Sequence, residues 1–197
     1  MRAGDDGGFS LGELLVASSV GLLALAVVGS AFEMVVRHQR TVVHRAHAVA
    51  DAQVALADVR RAVRNSATNG VHVSGEGLVV HTRSGDATGW RCRAWRWVED
   101  DPGSGTGSLY TTTAETGTDL AAVTDPVVEG WALAMTDAVT ATDSATSAPL
   151  PVFRGGSGGA VMVELVAADL AGTDEGTGLS TTLLPLPQDV EGNGGCF

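Results

Sequence analysis

The chain has 197 residues, enough for one ordinary domain with an appendage, and a formal charge of −11 in which every basic residue is arginine. An acid excess of this size argues against a nucleic-acid binder, which needs a basic face to neutralise phosphates, so we predict no nucleic-acid partner. Two cysteines are too few for a disulfide-rich scaffold or a thiolate zinc site. The aromatic content of 5% predicts a small core built mainly from Val, Leu and Ala.

The first predicted element is a membrane helix. Residues 14–32, LLVASSVGLLALAVVGSAF, form a run of nineteen residues without a charge. As an α-helix this run spans roughly 28 Å, close to the ~30 Å hydrocarbon core, and a helix pairs its own backbone polar groups. The alternatives are a cleaved secretory signal peptide and a buried helix of a soluble protein. We favour a retained span, because the run is long for a signal peptide and lacks a basic flank before it.

Two features of this run suit contact with other helices. Glu13 lies at its very start, where a carboxylate costs on the order of 3 kcal/mol unless it is paired. Ala17 and Gly21 form a pair of small residues one turn apart, a spacing that lets helices approach closely. We therefore expect helix packing at this segment and a cationic partner for Glu13.

The string GFSLGELLVA at residues 8–17, with the apolar run directly after it, resembles the prepilin signature of type IV pilins and type II secretion pseudopilins. The resemblance implies that residues 1–8 are a leader, which a prepilin peptidase removes by cutting between Gly8 and Phe9. Phe9 then becomes the methylated N-terminus. It also implies that Glu13 pairs with the N-terminal amine of a neighbouring subunit, which makes a buried carboxylate tolerable.

Topology is the point at which two sequence rules disagree. Arg37, Arg40 and Arg45 follow the apolar run, and the positive-inside rule would hold that side in the cytoplasm. The resemblance implies the opposite orientation, with the head outside the cytoplasm. We follow the resemblance, because filament assembly requires an extracytoplasmic head.

A second apolar pattern continues beyond the membrane run. Strict seven-residue spacing relates Val35, Val42, Val49, Leu56 and Val63, and no Gly or Pro interrupts residues 33–64. We predict one helix over residues 9–66, roughly 87 Å long, whose second half buries this stripe against the head. The neighbouring residues predicted to widen the stripe are Val36, Val43, Ala46, Ala50, Val54, Ala57 and Val59. A coiled coil is disfavoured because the complementary heptad positions include His38 and Arg45.

Residues 67–197 are predicted to form an acidic β-rich head, since they carry five Arg against seventeen acidic residues. Short β-like runs lie between Gly, Asp, Ser and Thr clusters. The predicted strands are Val71–Val73, Leu78–Thr82, Gly89–Glu99, Leu109–Thr113, Val127–Met135, Val152–Arg154, Val161–Ala167 and Leu179–Leu184. Residues 136–151 are predicted to be a mobile loop. The fold class is therefore α+β, with a long N-terminal helix packed on a small antiparallel sheet, as in pilins.

The strand of residues 89–99 alternates most clearly. Trp90, Cys92 and Ala94 are expected on one face, and Arg93, Trp95 and Trp97 on the other. The turn residues 100–105 are expected to close a hairpin to Leu109. A tryptophan-rich strand followed by Leu-Tyr resembles the larger minor pilins of the W and J types.

The two cysteines leave two possibilities open. In an oxidising exterior, pairing Cys92 with Cys196 would tie the C-terminal tail to a central strand and stabilise the head by a few kcal/mol. Two unpaired thiols are the alternative, and sequence separation does not decide between them.

We find no catalytic motif in the sequence. The string GGSGG at residues 155–159 fits a nucleophile elbow, but a strand pattern follows it and no His lies beyond His81, so we predict a hairpin loop. Exposed side chains are the favoured interpretation of His38, His44 and His47 rather than a metal site, and Glu99 to Asp101 lack EF-hand spacing. We expect no cofactor, no metal and no enzymatic activity.

The sequence therefore predicts a structural minor pilin or pseudopilin of the cell membrane, single-pass before assembly and part of a pilus or pseudopilus afterwards. The expected partners are prepilin peptidase, other pilin subunits, an inner-membrane assembly platform and the lipid bilayer. The alternative is a signal-anchored, single-pass surface protein that binds a ligand or polysaccharide.

Overall fold

The protein combines one long N-terminal helix with an antiparallel sheet of eight strands, so the predicted α+β class is confirmed. The computed structural model describes residues 10–83, 89–102, 104–143, 145–146, 148–167, 177–186 and 195–197. The chain divides into two compact units, residues 1–43 and residues 44–197, and each is described by itself.

Helix α1 runs from Leu11 to Arg64. Its end is defined by hydrogen bonds: the Asn65 N–H donates to the Arg61 carbonyl at 3.1 Å, and the Asn65 carbonyl then accepts from the Arg83 N–H at 3.2 Å. Arg61 and Arg64 lie in the last turn, where cations complement the helix dipole. The predicted end at Ser66 is wrong by two residues, because Ser66 is fully buried as the first residue of a strand.

In the first unit, the described residues are helical from Leu11 onward, and the side chains of residues 10–35 are exposed. This stretch is long and apolar enough to cross a membrane, by length and composition. Its apolar surface is the starting point for the functional site below.

In the second unit, the strands are β1 Ser66–Val73, β2 Gly77–Arg83, β3 Trp90–Glu99, β4 Thr106–Glu115, β5 Ala132–Val139, β6 Phe153–Gly155, β7 Val161–Ala167 and β8 Thr177–Leu183. Each predicted strand overlaps one of these. The GGSGG string at residues 155–159 begins with the last residue of β6 and continues into the turn before β7, which contains a single 3₁₀ turn at Ser157–Gly159, as the hairpin prediction requires.

The strand order is β1-β2-β3-β4-β5-β7-β6, with β8 added on the other edge of β7, and every pairing is antiparallel. One edge of β7 is shared, because Val163 pairs with Phe153 of β6 and Val166 pairs with Val139 of β5. The Phe153 N–H donates to the carbonyl of Gly75, in the β1–β2 turn, at 3.1 Å. This bond joins distant parts of the sheet, which is nearly barrel-shaped.

β5 lies further along the chain than predicted. Residues 127–131 precede it in a tight turn, where the Asp125 carboxylate accepts from the N–H groups of Val127 at 3.0 Å and Val128 at 3.2 Å. The loop prediction is consequently wrong for residues 136–139, which complete β5. Beyond them, Thr142 pairs with Pro149 in an isolated antiparallel bridge.

The main core lies between the second half of α1 and the inner face of the sheet. The helix contributes residues at spacings of three and four, namely Ala52, Ala55, Leu56, Val59, Ala62 and Val63, all buried. The sheet contributes larger side chains, including Trp95, Trp97 and Phe153. Alanines on the helix leave room for indole rings opposite, so volumes on the two sides are complementary.

This arrangement corrects the predicted helix stripe. Leu56, Val59 and Val63 are buried as expected, but Ala50, Val54 and Ala57 are exposed, with Val54 at 69%. Hydrophobic spacing therefore identified the helix but not every residue of its buried face. Alanines line part of that face and leave room for the indole rings, whereas the larger Val54 lies on the exposed side.

The alternation predicted for β3 is confirmed. Trp95 and Trp97 belong to the core beneath α1, whereas Cys92 and Ala94 belong to a second buried cluster on the opposite face. The hairpin is confirmed as well, since β3 and β4 pair in continuous register from Arg91 with Glu115 to Glu99 with Gly107.

Gly107 provides a test of how closely β3 and β4 approach. A Cβ added there would lie 2.2 Å from the Val98 carbonyl oxygen and 2.7 Å from Cζ2 of Trp97. We expect Gly107→Ala to lower the free energy of unfolding by about 3 kcal/mol or more, since main chain must move. The measurement is urea unfolding in detergent, followed by tryptophan fluorescence.

Gly155→Ala is the matched control, because a Cβ at that strand position meets nothing within 4 Å. Its effect should stay within about 0.5 kcal/mol. Equal stability of the two variants would show that the approach at Gly107 is looser than described.

Candidate functional site

The N-terminus of α1 is closed by a reciprocal cap between Ser10 and Glu13. The Glu13 Oε2 accepts from the Ser10 N–H at 3.0 Å and from the Ser10 hydroxyl at 3.1 Å. In return, the Ser10 Oγ accepts from the Glu13 N–H at 3.2 Å. This is a capping box, and its Ser-x-x-Glu signal directly before an apolar run was present in the sequence but overlooked. Gly8 and Phe9, the predicted cleavage pair, lie outside the described residues.

The apolar half of α1 pairs its own polar side chains. Its serine hydroxyls are satisfied by the helix itself: Ser18 and Ser19 donate to the Leu15 carbonyl at 3.0 and 2.7 Å, and Ser30 donates to the Val27 carbonyl at 2.8 Å. Glu33 and Arg37 then form an ion pair one turn apart. The charged surface therefore begins where the apolar run ends.

The apolar surface of this segment carries a large free-energy cost in water. Twelve large apolar residues between Leu11 and Met34 are at least 60% exposed. Burying such a side chain is worth about 1.5–3 kcal/mol, so leaving all of them in water costs roughly 20 kcal/mol or more. A whole domain is stabilised by only about 5–15 kcal/mol. The segment is therefore costly to leave in water, and it is compatible with a membrane span by length and composition.

A smaller apolar stripe remains exposed on the second half of α1. Ala46, Ala50, Val54 and Ala57 follow one another at helical spacing and are all exposed. They lie on the side of the helix away from the buried Ala52, Val59 and Val63. Small residues of this kind let another helix approach closely.

One ion pair fixes α1 against the sheet. The Arg93 guanidinium donates from Nη1 and Nη2 to the two carboxylate oxygens of Asp58 at 2.6 and 2.5 Å. Both side chains are about three-quarters buried, and the Arg93 Cζ lies 5.0 Å from the ring centroid of Trp95. The fork geometry specifies both distance and orientation, so it selects the register of the helix on β3. Sequence reasoning missed this pair because its members are 35 residues apart.

Part of the outer face of the sheet, over β2 and β3, is covered by a second buried cluster that includes a disulfide. A disulfide joins Cys92 of β3 to Cys196, with the Cα atoms 5.5 Å apart. The Leu120 N–H donates to the Cys196 carbonyl at 3.0 Å, and the Phe197 ring stacks on His72 at 5.2 Å. Cys196 and Phe197 are therefore part of a second buried cluster. The disulfide joins positions 104 residues apart, so it closes a long loop in the unfolded chain.

His81 is buried beside this disulfide. It is 2% exposed, pairs across the strands with Cys92, and lies 5.1 Å from the Trp90 ring, centroid to centroid. Neither ring nitrogen has a hydrogen-bond partner within the described structure. Burial lowers the pKa of His81 below its ordinary value, since a charged imidazolium would lose its water.

The other chemical candidates are not assembled into sites. Among the described residues, no group of three His, Cys, Asp or Glu side chains could hold a metal ion. His44 and His47 are exposed on α1. Glu99 accepts a hydrogen bond from the Gly105 N–H at 2.7 Å and thereby closes the β3–β4 turn.

No protein-family model, curated protein or solved structure matches this chain. Its function has to be inferred from the exposed helix, its cap and the disulfide-bonded head.

The Asp58–Arg93 pair can be tested by a double-mutant cycle. Asp58→Ala and Arg93→Ala should each lower the free energy of unfolding by about 2–3 kcal/mol, because each leaves a largely buried charge unpaired. The double variant should cost less than the sum, with a coupling of about 1–2 kcal/mol. Asp51→Ala, at an exposed position of the same helix, is the control and should change stability by less than about 0.5 kcal/mol. A coupling free energy near zero would show that the two charges do not stabilise each other in the folded protein.

His81 predicts a loss of stability in acid. Above about pH 6.5 the imidazole is neutral in both states and contributes nothing; below it, the unfolded chain takes up a proton that the buried ring resists. His81→Leu should therefore lose roughly 1–2 kcal/mol less than the natural chain when pH falls from about 7 to about 5. Chemical unfolding at each pH measures this difference, with the exposed His44→Gln as control. Parallel pH profiles for His81→Leu and the natural chain would contradict the buried neutral state.

Proposed function

We propose that this protein is a minor subunit of a type IV pilus or type II secretion-like filament, held in the membrane and later assembled through α1. The observation that carries the proposal is the uncovered apolar surface from Leu11 to Met34, beginning at a capped end. Lipid would cover this surface before assembly and neighbouring helices would cover it afterwards. The string at residues 8–17, which resembles a prepilin signature, is the independent support from sequence.

Processing would place a new positive charge close to the cap. If prepilin peptidase cuts between Gly8 and Phe9, the amine of Phe9 lies one residue before the Ser10 cap. The described hydrogen bonds to the Glu13 carboxylate use Oε2. Oε1 would then receive the methylated amine of a neighbouring subunit, so Glu13 would cap its own helix and pair with the next.

The second half of α1 and the head support the same role. The exposed stripe of Ala46, Ala50, Val54 and Ala57 would contact another helix of the filament. The Cys92–Cys196 disulfide suits an oxidising exterior, which supports an extracytoplasmic head. The tryptophans of β3 and the Leu109-Tyr110 pair of β4 support the proposed likeness to W- and J-type minor pilins.

Glu13→Gln separates the two proposed roles of this side chain. The amide oxygen of Gln preserves the capping box, whereas the charge is lost. We expect membrane insertion to be unchanged and incorporation into filaments to fall by about tenfold or more. The measurement is the ratio of subunit in sheared filaments to subunit in the membrane fraction, by immunoblot.

Two further variants complete this test. Ser10→Ala removes the side-chain half of the cap but keeps the charge, and should assemble at close to the natural level. Glu13→Ala removes both and should assemble poorly. Normal incorporation of Glu13→Gln, with failure of only Glu13→Ala and Ser10→Ala, would show that Glu13 is a cap and not an assembly charge.

A further inference from the structure

Strand β1 contains a bulge whose main chain restricts the residues that can occupy it. The register of β1 on β2 shifts between Ser66 and Val71, so residues 67–70 lie outside the regular pairing. Asn69 in this bulge has a φ of 58° and is the one non-glycine residue with a positive φ in the described part of the chain. Asn and Asp tolerate this left-handed conformation better than other side chains do. The fold therefore favours Asn, Asp or Gly at this position.

The next residue, Gly70, is restricted by space. A Cβ added there would lie 3.0 Å from both the Cβ and the carbonyl oxygen of Ala67, and 3.1 Å from its nitrogen. Main-chain atoms at these distances cannot give way easily, so a side chain at this position would distort the bulge. The two restrictions together explain why Asn is followed directly by Gly at this point of β1.

This pair places an amide next to an unhindered nucleophile. The main-chain nitrogen of Gly70 lies within the same short segment as the Asn69 side chain, and attack on Cγ closes a five-membered ring. Gly70 has no side chain to obstruct this attack, and Asn69 is exposed to water. Because residues 67–70 lie outside the pairing register, the segment can open locally while the rest of the sheet stays paired.

Asn65 shows the opposite situation within the same part of the chain. Its N–H donates to the Arg61 carbonyl at 3.1 Å, and its own carbonyl accepts from the Arg83 N–H and the Thr82 hydroxyl, each at 3.2 Å. It is half-buried, and the residue that follows it is Ser66, whose side chain hinders attack by the nitrogen. Asn65 is therefore a built-in comparison for Asn69.

We propose that Asn69 is a site of spontaneous deamidation in the folded head. The Gly70 nitrogen gives its proton to hydroxide and bonds to Cγ of Asn69, which closes a succinimide ring. The bond from Cγ to the side-chain nitrogen breaks, and ammonia leaves. Water then adds to one of the two ring carbonyls and opens the ring, which yields aspartate or isoaspartate. Water is the only co-reactant, and the modification is independent of assembly through α1.

The two products affect β1 differently. Aspartate leaves the main chain unchanged, tolerates the φ of 58° and adds one negative charge at an exposed position. Isoaspartate instead carries the main chain through the former side-chain carbon, so the bulge becomes longer where Gly70 already approaches Ala67 closely. We expect Asn69→Asp to keep its thermal midpoint within a few degrees of the natural chain. The isoaspartate form, separated by chromatography, should unfold at a lower temperature than Asn69→Asp.

The test incubates the full chain in detergent micelles, at neutral and at mildly alkaline pH, in water enriched in the heavy oxygen isotope. Trypsin, applied afterwards in ordinary water, releases residues 65–83 as one peptide that contains both Asn65 and Asn69. Fragment masses assign the converted residue, and heavy oxygen marks conversion that preceded digestion. We expect Asn69 to convert at least about tenfold faster than Asn65. Its rate should rise by about tenfold for each pH unit, because the deprotonated nitrogen is the nucleophile.

Asn69→Gly is the matched control, because glycine accepts the positive φ and carries no amide. It should fold with a thermal midpoint within a few degrees of the natural chain and show no heavy oxygen at this position. Two outcomes would overturn the proposal. Asn69 and Asn65 could convert at equal rates in the folded chain, or Asn69 could convert in urea and stay unchanged in the folded chain, which would show that the bulge protects it.

Discussion

The structure depends on one constraint: the first half of α1 presents an apolar surface that no described part of the chain buries. Twelve large side chains at least 60% exposed represent a cost in water larger than the stability of a typical domain. The internal hydrogen bonds of Ser18, Ser19 and Ser30, and the cap between Ser10 and Glu13, leave this surface suited to hydrocarbon or to other helices. The proposed membrane anchor and the proposed filament assembly would each cover this surface.

The second half of the same helix is used differently. Its inner face is lined with alanines and valines that fit beneath the indoles of β3, and the Asp58–Arg93 fork fixes which face that is. On the other face of the sheet, the disulfide to Cys196 secures a second, smaller buried cluster.

Local patterns in the sequence predicted the helix and the strands well. They did not predict contacts between residues that lie far apart in the sequence. The alternation of residues 89–99 identified β3 and both of its faces, because strand periodicity is a local property. The Asp58–Arg93 pair joins residues far apart in sequence, and nothing local indicates it. The buried face of α1 was assigned from the spacing of its valines. Alanines also line that face opposite the large tryptophans, and valine spacing does not identify them. The Ser10–Glu13 cap is a local feature that the sequence does indicate, because a serine three residues before a glutamate at the start of an apolar run is the signature of a capping box.

The most direct test of the account is the mass and N-terminal sequence of the chain recovered from the membranes of cells that have an active prepilin peptidase. The account predicts a mature chain that begins at Phe9, carries one N-terminal methyl group and requires detergent to stay in solution. An intact Met1 would instead indicate a signal-anchored surface protein. A chain that begins at another residue, or one that is freely soluble with α1 intact, would contradict the central claim that this helix exists to be covered by lipid and then by its neighbours.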